Sequence, residues 1–326
     1  MSVLGCPIRS CEAEGVVGLH RCRRTWLVLW LMLVLGSAGC GQEERRAPIP
    51  ALSSSAARRA SAAGPSEDRI LADQWVRVQA GTFRMGSPKA EPCRDTDEDR
   101  HDVILSRGFL MARHEVTQRQ FAARMGYTPA FHGGCDDCPV EWVNWHEAVA
   151  YCNRLSEAAK RPPCYTCIGA GPSVRCTPKP GAPQACRAYR LPTEAEWEHA
   201  ARAGTNAGLP CGDVSSCMCT DPNAGRLAWY KINSGGRTRQ VGGKMPNPWG
   251  LHDMAGNVYE WIHDWYQPHL GHAPTLDPAG PTTGTERVLR GGAWYFNAEH
   301  LRSANRERFA PHKRFTFVGF RCVRSL

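Results

Sequence analysis

The chain has 326 residues, of which 42% are hydrophobic and 22% are charged, and its formal net charge is +9. This is the composition of a globular protein, and its 32 glycines, 24 prolines and 11 tryptophans favour loop-rich α+β packing over a helical bundle or a coiled coil. The basic residues are scattered rather than gathered in a stripe with aromatic residues, so the sequence argues against a nucleic-acid partner.

Residues 1–39 have the pattern of a lipoprotein signal peptide. Three arginines precede an apolar run over residues 26–35, which is shorter than the roughly 20 residues of a transmembrane helix. The run leads into Ser-Ala-Gly-Cys, which resembles a bacterial lipobox, although Ser37 stands where leucine is usual. Cys40 is therefore the predicted lipidation site. We expect an exported lipoprotein on the periplasmic or cell-surface face, held to the membrane only by its lipid anchor.

Residues 40–68 contain the lipidated cysteine and a predicted flexible linker. The segment is rich in alanine, serine, proline and arginine, a composition that does not bury a core. One folded domain is predicted over residues 69–326. It contains no fixed-period repeat and no long apolar segment, which excludes solenoids and polytopic membrane proteins.

The domain is predicted to begin with two short strands and to continue with three helices. The strands are expected at residues 76–78 and 82–85. Each helix is preceded by a capping box, in which an N-cap side chain is followed three residues later by Gln or Glu. The three boxes are Thr117 with Gln120, Asn144 with Glu147, and Thr193 with Glu196. After Gly204 the pattern becomes short aromatic strands and turns, so we predict an α+β domain with much irregular backbone.

Twelve cysteines lie in the predicted domain. An even number in an exported chain favours disulfides. The alternative is a zinc site, because Cys135-x-x-Cys138 and Cys164-x-x-Cys167 have the spacing of paired ligands. A predicted helix between the two pairs and the oxidising compartment favour disulfides. Their pairing is not readable from the sequence.

One glycine-containing turn carries two acids. Asp253 and Glu260 are hard oxygen donors, and Gly256 between them permits a tight turn that could direct carbonyl groups at Ca²⁺. The alternative is a capped turn packed between Trp249 and Trp261. The spacing alone favours the capped turn.

Seven segments together resemble the formylglycine-generating enzyme, or sulfatase-modifying factor, family. In chain order they are FRMGS (83–87), HEVT (114–117), PVEWVNW (139–145), YRLPTEAEWE (189–198), GLHDMAGNVYEW (250–261), RVLRGGAW (287–294) and GFRC (319–322). The resemblance covers about residues 75–326. It implies a C-type-lectin-like α+β fold with many loops, braced by disulfides and calcium.

The resemblance also implies a ligand set for structural Ca²⁺. Asp253 and Glu260 would bind through their side chains, and Gly256 and Val258 through their backbone carbonyls. This changes the balance in favour of calcium at the glycine-containing turn.

The family's catalytic cysteine pair is missing. In formylglycine-generating enzymes this pair binds Cu(I) and oxidises a substrate cysteine with O₂, since thiolates are the soft ligands that Cu(I) needs. Counted from the Gly-Gly-Ala-Trp segment, the two positions are Phe296 and Leu301, and Ala293 replaces a serine. We therefore expect neither copper nor formylglycine formation, and the catalytic residues, if any exist, are unknown.

Four residues after the Gly-Gly turn are candidates for lining the family's substrate pocket: Trp294, His300, Arg302 and Arg306. Two arginines suit a carboxylate, a sulfate or a peptide backbone through bidentate hydrogen bonds. The alternative is that Arg302 and Arg306 form structural salt bridges with loop acids. The sequence leaves both interpretations open.

Three further histidines raise the question of a second metal site. His263, His269 and His272 lie near Asp264 and invite comparison with a 2-His-1-carboxylate iron site. Their spacing does not fit that pattern. We expect them to be surface residues.

Two classes of function follow. The first is a divergent oxidoreductase or protein-modifying enzyme of this family. The second is a non-catalytic, lectin-like binding module that presents residues 294–306 to a peptide, a glycan or a partner protein.

Overall fold

The computed structural model describes residues 74–218 and 220–326. The predicted signal peptide, Cys40 and the linker lie outside the described residues. In the part of the chain that is described, no helix is both long and apolar enough to cross a membrane.

Short strands and a few helices are connected by long irregular segments, and the predicted α+β class is confirmed. The strands are β1 (Trp75–Val78), β2 (Gly81–Met85), β3 (His101–Leu105), β4 (Phe109–Ala112), β5 (Tyr165–Ile168), β6 (Arg175–Pro178), β7 (Tyr189–Arg190), β8 (Tyr259–Trp265), β9 (Thr275–Leu276), β10 (Arg287–Arg290), β11 (Glu307–Phe309), β12 (Val318–Gly319) and β13 (Val323–Ser325). The α-helices are α1 (Gln118–Met125), α2 (Trp145–Ala158), α3 (Glu194–Arg202) and α4 (Pro222–Leu227).

The helices begin where their capping boxes predict. Thr117, Asn144 and Thr193 each accept a hydrogen bond from the backbone N–H three residues later, and the reciprocal side-chain bond is present in all three boxes. Helix α3 ends at Arg202, and the next two residues, Ala203 and Gly204, both have positive φ, 47° and 88°, so Gly204 is the C′ residue that the sequence indicates for the end of this helix. Helix α4, capped by Asp221, was not predicted.

The strands form four small sheets. Their orders are β1-β4-β13-β7, β11-β10-β8-β12, β2-β3-β9 and β5-β6. The two strands predicted first do not pair with each other, since β1 pairs with β4 and β2 pairs with β3. Helix α2 packs on β7, and the cores on either side are built around the buried indoles of Trp145, Trp197 and Trp261.

The four cysteines considered for a zinc site all form disulfides, Cys135 with Cys138 but Cys164 and Cys167 with other partners. Four disulfides are present in the described residues: Cys93–Cys217, Cys135–Cys138, Cys164–Cys186 and Cys167–Cys176. Of the remaining described cysteines, Cys152 and Cys322 are buried with their sulfurs 3.1 Å apart, and Cys211 is exposed. Cys219 lies outside the described residues.

Buried arginines satisfy much of the irregular backbone. Arg290 donates hydrogen bonds to the carbonyls of Ser303, Ala304 and Asn305 and forms an ion pair with Glu198. A planar cation with five N–H donors can saturate several loop carbonyls at once. This is how the segment after β10 is held in place without regular secondary structure.

Candidate functional site

The segment that follows β10 folds back on itself through two glycines. Gly291 and Gly292 both have positive φ, 101° and 72°. A Cβ on Gly292 would lie 2.7 Å from the carbonyl oxygen of His300, so only glycine permits this approach. The turn therefore packs the short 3₁₀ helix Ala298–Leu301 against Gly292. Phe296 and Leu301, at the two positions where the family has cysteines, lie in this folded-back segment.

Both of these positions are occupied by apolar side chains that are packed in place. The Phe296 ring lies 5.3 Å from that of Tyr259, 5.0 Å from that of Phe317 and 4.8 Å from that of His300, measured between ring centroids. Leu301 is fully buried in a small apolar cluster with Leu209 and others. Neither side chain offers the thiolate that Cu(I) prefers as a ligand.

A row of aromatic side chains reaches the surface beside Phe296. We call it the aromatic face, and its exposed members are Phe131, Trp142 and Tyr295, which are 68%, 39% and 58% exposed. The ring centroids of Phe131 and Trp142 lie 6.1 Å apart, and the ring of Tyr295 stacks on that of Phe317 with 6.3 Å between their centroids. Large exposed rings in a row are unusual on a soluble surface and are typical of binding sites.

Two of the predicted pocket residues support this face. The indole N–H of Trp294 donates to the carbonyl oxygen of Thr316 at 2.9 Å, and the ring lies edge-on to His132. The Nδ1 atom of His300 lies 3.0 Å from the Tyr259 hydroxyl. Burial lowers the pKa of His300, so its imidazole is neutral near pH 7.

The other two predicted pocket residues, Arg302 and Arg306, point inward and are buried. Arg302 forms a bidentate pair with Glu98, with both N–O distances at 2.7 Å, and a further bond to Glu91 at 3.1 Å. Arg306 forms a bidentate pair with Glu194 at 2.7 and 3.0 Å. Arg302 and Arg306 therefore form buried salt bridges with acids that are distant in the sequence, which is the second of the two interpretations that the sequence leaves open.

A buried acid lies beneath the aromatic face. The Glu141 carboxylate accepts the backbone N–H of His132 at 2.6 Å, and its second oxygen is buried without a hydrogen-bond partner. Burial raises the pKa of Glu141 to about 7. A single acid inside the apolar run Val-Glu-Trp-Val is the sequence signal for such a buried carboxylate.

The histidines near Asp264 do not form a metal site. His269 is exposed and lies 3.6 Å from Asp99, and His272 is exposed as well. His263 was expected at the surface but is half-buried, with Nδ1 at 3.3 Å from the Tyr165 hydroxyl. The three rings therefore do not converge.

The turn predicted to bind calcium is only partly free to do so. Asp253 is buried with a positive φ of 56°; one oxygen accepts the N–H of Gly242 at 2.6 Å, and the other has no partner. Glu260 is engaged at both oxygens, by the guanidinium of Arg321 at 2.6–2.9 Å and by the indole N–H of Trp197 at 2.8 Å. Of the two predicted side-chain ligands, only Asp253 has an oxygen available.

A third carboxylate, that of Glu115, interacts electrostatically with Asp253 and Glu260. Glu115 is fully buried and both of its oxygens lack a hydrogen-bond partner. Burial and the neighbouring Asp253 raise the pKa of Glu115 well above its usual range. One guanidinium, Arg321, faces all three acids. When ionised, the cluster has an excess of negative charge that a divalent cation would balance.

The negative charge and the unpartnered oxygens of Glu115 and Asp253 thus fit a hard cation, but side chains alone do not supply enough ligands for it. Across residues 74–218 and 220–326, no three His, Cys, Asp or Glu side chains converge as ready-made metal ligands. Calcium at this turn would depend on backbone carbonyls as well, which is the role predicted for Gly256 and Val258.

Comparison with known proteins identifies the family of this chain. Residues 60–326 match the family model described as a sulfatase-modifying factor enzyme 1-like domain. The chain belongs to this family. The match covers the same part of the chain as the sequence resemblance and agrees with the mixed-sheet, disulfide-containing fold.

Relatives of this sulfatase-modifying factor domain carry different names. The formylglycine-generating enzyme of Thermomonospora curvata is 30% identical over 296 residues, covering 78% of this chain and 94% of that protein. The structure of Treponema denticola variable protein 1 aligns with a TM-score of 0.66 and 32% identity, covering 77% of this chain and 95% of that one. PvdO from Pseudomonas aeruginosa aligns with a TM-score of 0.62 and 27% identity, covering 77% and 94%.

Family membership fixes the fold of this sulfatase-modifying factor domain but leaves its activity open. A protein named as an enzyme and one named as a variable protein share the scaffold, so the activity must be argued from the residues of the site.

Proposed function

We propose that this chain is an exported, membrane-anchored binding module of the sulfatase-modifying factor family that does not make formylglycine. Its ligand is a peptide segment of another exported protein, held on the aromatic face. The observation that carries the proposal is the replacement of the family's cysteines by Phe296 and Leu301, next to a surface of exposed rings.

The argument against copper chemistry rests on packing as well as on composition. Leu301 is fully buried, and Phe296 is wedged among three other rings, so neither position has room for an alternative ligand without repacking. Of the described free cysteines, Cys152 and Cys322 are buried side by side in the core against which Phe296 packs, with their sulfurs 3.1 Å apart, and Cys211 is exposed.

The argument for binding rests on the exposed rings. Each aromatic side chain that is covered by a ligand removes a large apolar area from water, and Tyr and Trp ordinarily dominate binding energies at interfaces. The segment that follows Tyr295 is fixed by the buried ion pairs of Arg302 with Glu98 and of Arg306 with Glu194. A preformed surface loses little entropy when it binds.

The exported location is supported by the signal pattern of residues 1–39, by Cys40, and by the four disulfides, which persist in oxidising compartments. Calcium is part of the proposal as a structural ion. Asp253 would hold it with the carbonyls of Gly256 and Val258, and Glu260 would join only by loosening its pair with Arg321.

Selection from a displayed peptide library tests the binding surface. Peptides enriched by the folded domain should lose most of their affinity for Tyr295→Ala and for Trp142→Ala. They should bind unchanged to Leu276→Ala, a matched control at an apolar residue that is 66% exposed on a different sheet. Equal binding by all three variants would contradict the proposal. Enrichment of no peptide, together with binding to a glycan array that depends on Tyr295, would replace the peptide with a glycan.

A second experiment tests the missing chemistry. The folded domain is incubated with Cu(I), O₂ and a cysteine-containing sulfatase-motif peptide, and the peptide mass is measured. We expect no conversion of the cysteine to the aldehyde. Conversion above a control without the domain would overturn the non-catalytic assignment.

A further inference from the structure

A cavity of about 830 Å³ lies on a different part of the domain from the aromatic face. One wall is the end of β6 and the segment that follows it, residues 176–183, and the other is the loop 279–284. Sites for small molecules have volumes of roughly 300–1,000 Å³. No lining residue is shared with the aromatic face, so the cavity is a separate feature.

The walls are mostly apolar and are held in position. The apolar lining includes Trp145, Trp265 and four prolines, at positions 178, 180, 183 and 281. The disulfides Cys164–Cys186 and Cys167–Cys176 bracket the first wall. On the second wall a Cβ at Gly284 would lie 2.8 Å from the Cβ of Trp265, so the loop is pressed against that indole. The cavity is therefore preformed.

Arg287 is the buried cation in the lining of this cavity, and it differs from the other buried arginines. It is only 3% exposed. The other arginines that are buried in the described structure all form an ion pair with a carboxylate, namely Arg190, Arg202, Arg290, Arg302, Arg306 and Arg321. Arg287 forms none. Its Nη1 donates to the carbonyl oxygen of His263, and its Nε is buried without a partner.

The guanidinium is also fixed in place. Its central carbon lies over the rings of Trp145 and Trp265, 4.1 and 3.5 Å from their centroids. Asp264 interacts with Arg287 electrostatically but forms no ion pair with it, and burial raises the pKa of Asp264 well above its usual range. Burial without an ion pair lowers the pKa of Arg287 to about 10, which still leaves it charged at neutral pH. A buried cation without a counter-ion is costly.

The two histidines of the lining add hydrogen bonding without further charge. Burial lowers the pKa of His146 to about 4 and that of His263 to about 3, so both rings are neutral. The Nδ1 atom of His146 accepts the backbone N–H of Cys176, which places the ring proton on Nε2 as a donor. The lining thus combines the fixed charge of Arg287, the ammonium group of the exposed Lys179 and one neutral donor with apolar walls.

We propose that this cavity binds an organic carboxylate with an aromatic or aliphatic body, and that Arg287 receives the carboxylate. The guanidinium N–H groups match a carboxylate in plane, and the ligand supplies the negative charge that the protein does not place there. The tryptophan and proline walls receive the apolar body. This is a binding site in addition to the aromatic face and does not depend on it.

Titration of the full folded domain with phenylacetate tests the assignment. The readouts are calorimetry and the fluorescence of the wall tryptophans, and the neutral comparison ligand is phenylacetamide. We expect phenylacetate to bind and the amide to bind at least about tenfold more weakly, because the charge-assisted bond to Arg287 is lost. Arg287→Gln should bind both ligands equally weakly. Equal affinities of the wild type for acid and amide, or no binding of phenylacetate at millimolar concentration, would overturn the assignment.

A second variant keeps the test decisive if Arg287→Gln does not fold. Thr283 lies exposed at the rim of the cavity, and Thr283→Trp should block entry without touching the guanidinium. The matched control is Thr128→Trp, at an exposed threonine away from the cavity. Loss of phenylacetate binding in Thr283→Trp alone supports the site. Unchanged binding in Thr283→Trp places the ligand elsewhere and overturns it.

Discussion

Replacing Arg302 with methionine separates a structural arginine from a ligand-binding one. The side chain is 0% exposed, and its guanidinium makes two bonds to Glu98 and one to Glu91. Methionine keeps most of the volume but leaves two buried carboxylates without their cation. Breaking a buried ion pair in this way costs about 3–5 kcal/mol. For a domain of this size that corresponds to a fall in Tm of roughly 6–20 °C.

The assay is thermal unfolding followed by circular dichroism, with two comparison variants. Arg84→Met removes an ion pair whose side chains are 46% and 43% exposed, and it should cost at most about 1 kcal/mol. The double variant Arg302→Met/Glu98→Gln should be more stable than Arg302→Met alone, since the unpaired charge at Glu98 is removed. A Tm for Arg302→Met equal to that of Arg84→Met, or no recovery in the double variant, would refute the structural role.

Three further predictions concern calcium, thiols and pH. Added Ca²⁺ should raise the Tm and EDTA should reverse it, whereas Asp253→Ala should show no response; an unchanged wild-type melting curve in EDTA removes the calcium assignment. In unreduced, folded protein, peptide mapping after alkylation should find Cys211 modified and Cys135 and Cys138 protected, and reactive Cys135 and Cys138 would instead favour a thiolate metal site. Burial raises the pKa of Glu141 from 4.5 to about 7, so its contribution to stability is complete below its unfolded pKa and is lost as the pH rises through 7. Glu141→Gln should reduce the dependence of the free energy of unfolding on pH between pH 5 and pH 8, measured by denaturant titration. The same pH dependence in the wild type and in Glu141→Gln would contradict the raised pKa of Glu141.

The local part of the fold was predictable from the sequence. Capping boxes act within four residues, so Thr117, Asn144 and Thr193 mark their helices without any tertiary information. The even cysteine count also favours disulfides without tertiary information, because counting cysteines does not depend on the fold. The apolar residues at the family's cysteine positions were also readable directly from Phe296 and Leu301.

What escaped prediction depends on contacts between distant parts of the chain. Arg302 meets Glu98 across 204 positions, so nothing near residue 302 reveals whether its side chain points inward or outward. The same holds for Arg287, because the sequence around it does not reveal that no acid of residues 74–218 and 220–326 forms an ion pair with it. The aromatic face joins Phe131, Trp142 and Tyr295 from separate loops, and only the folded chain brings them into one row.

The position of β13 has a consequence for how the domain matures. This strand, residues 323–325, lies between β4 and β7, while β1 lies on the far side of β4. As the chain emerges from its amino-terminal side, β1, β4 and β7 are available long before β13, yet β7 cannot join the other two until that strand arrives between them. The central pairing is therefore completed last. This sheet therefore cannot be completed until residues 323–325 have been synthesised.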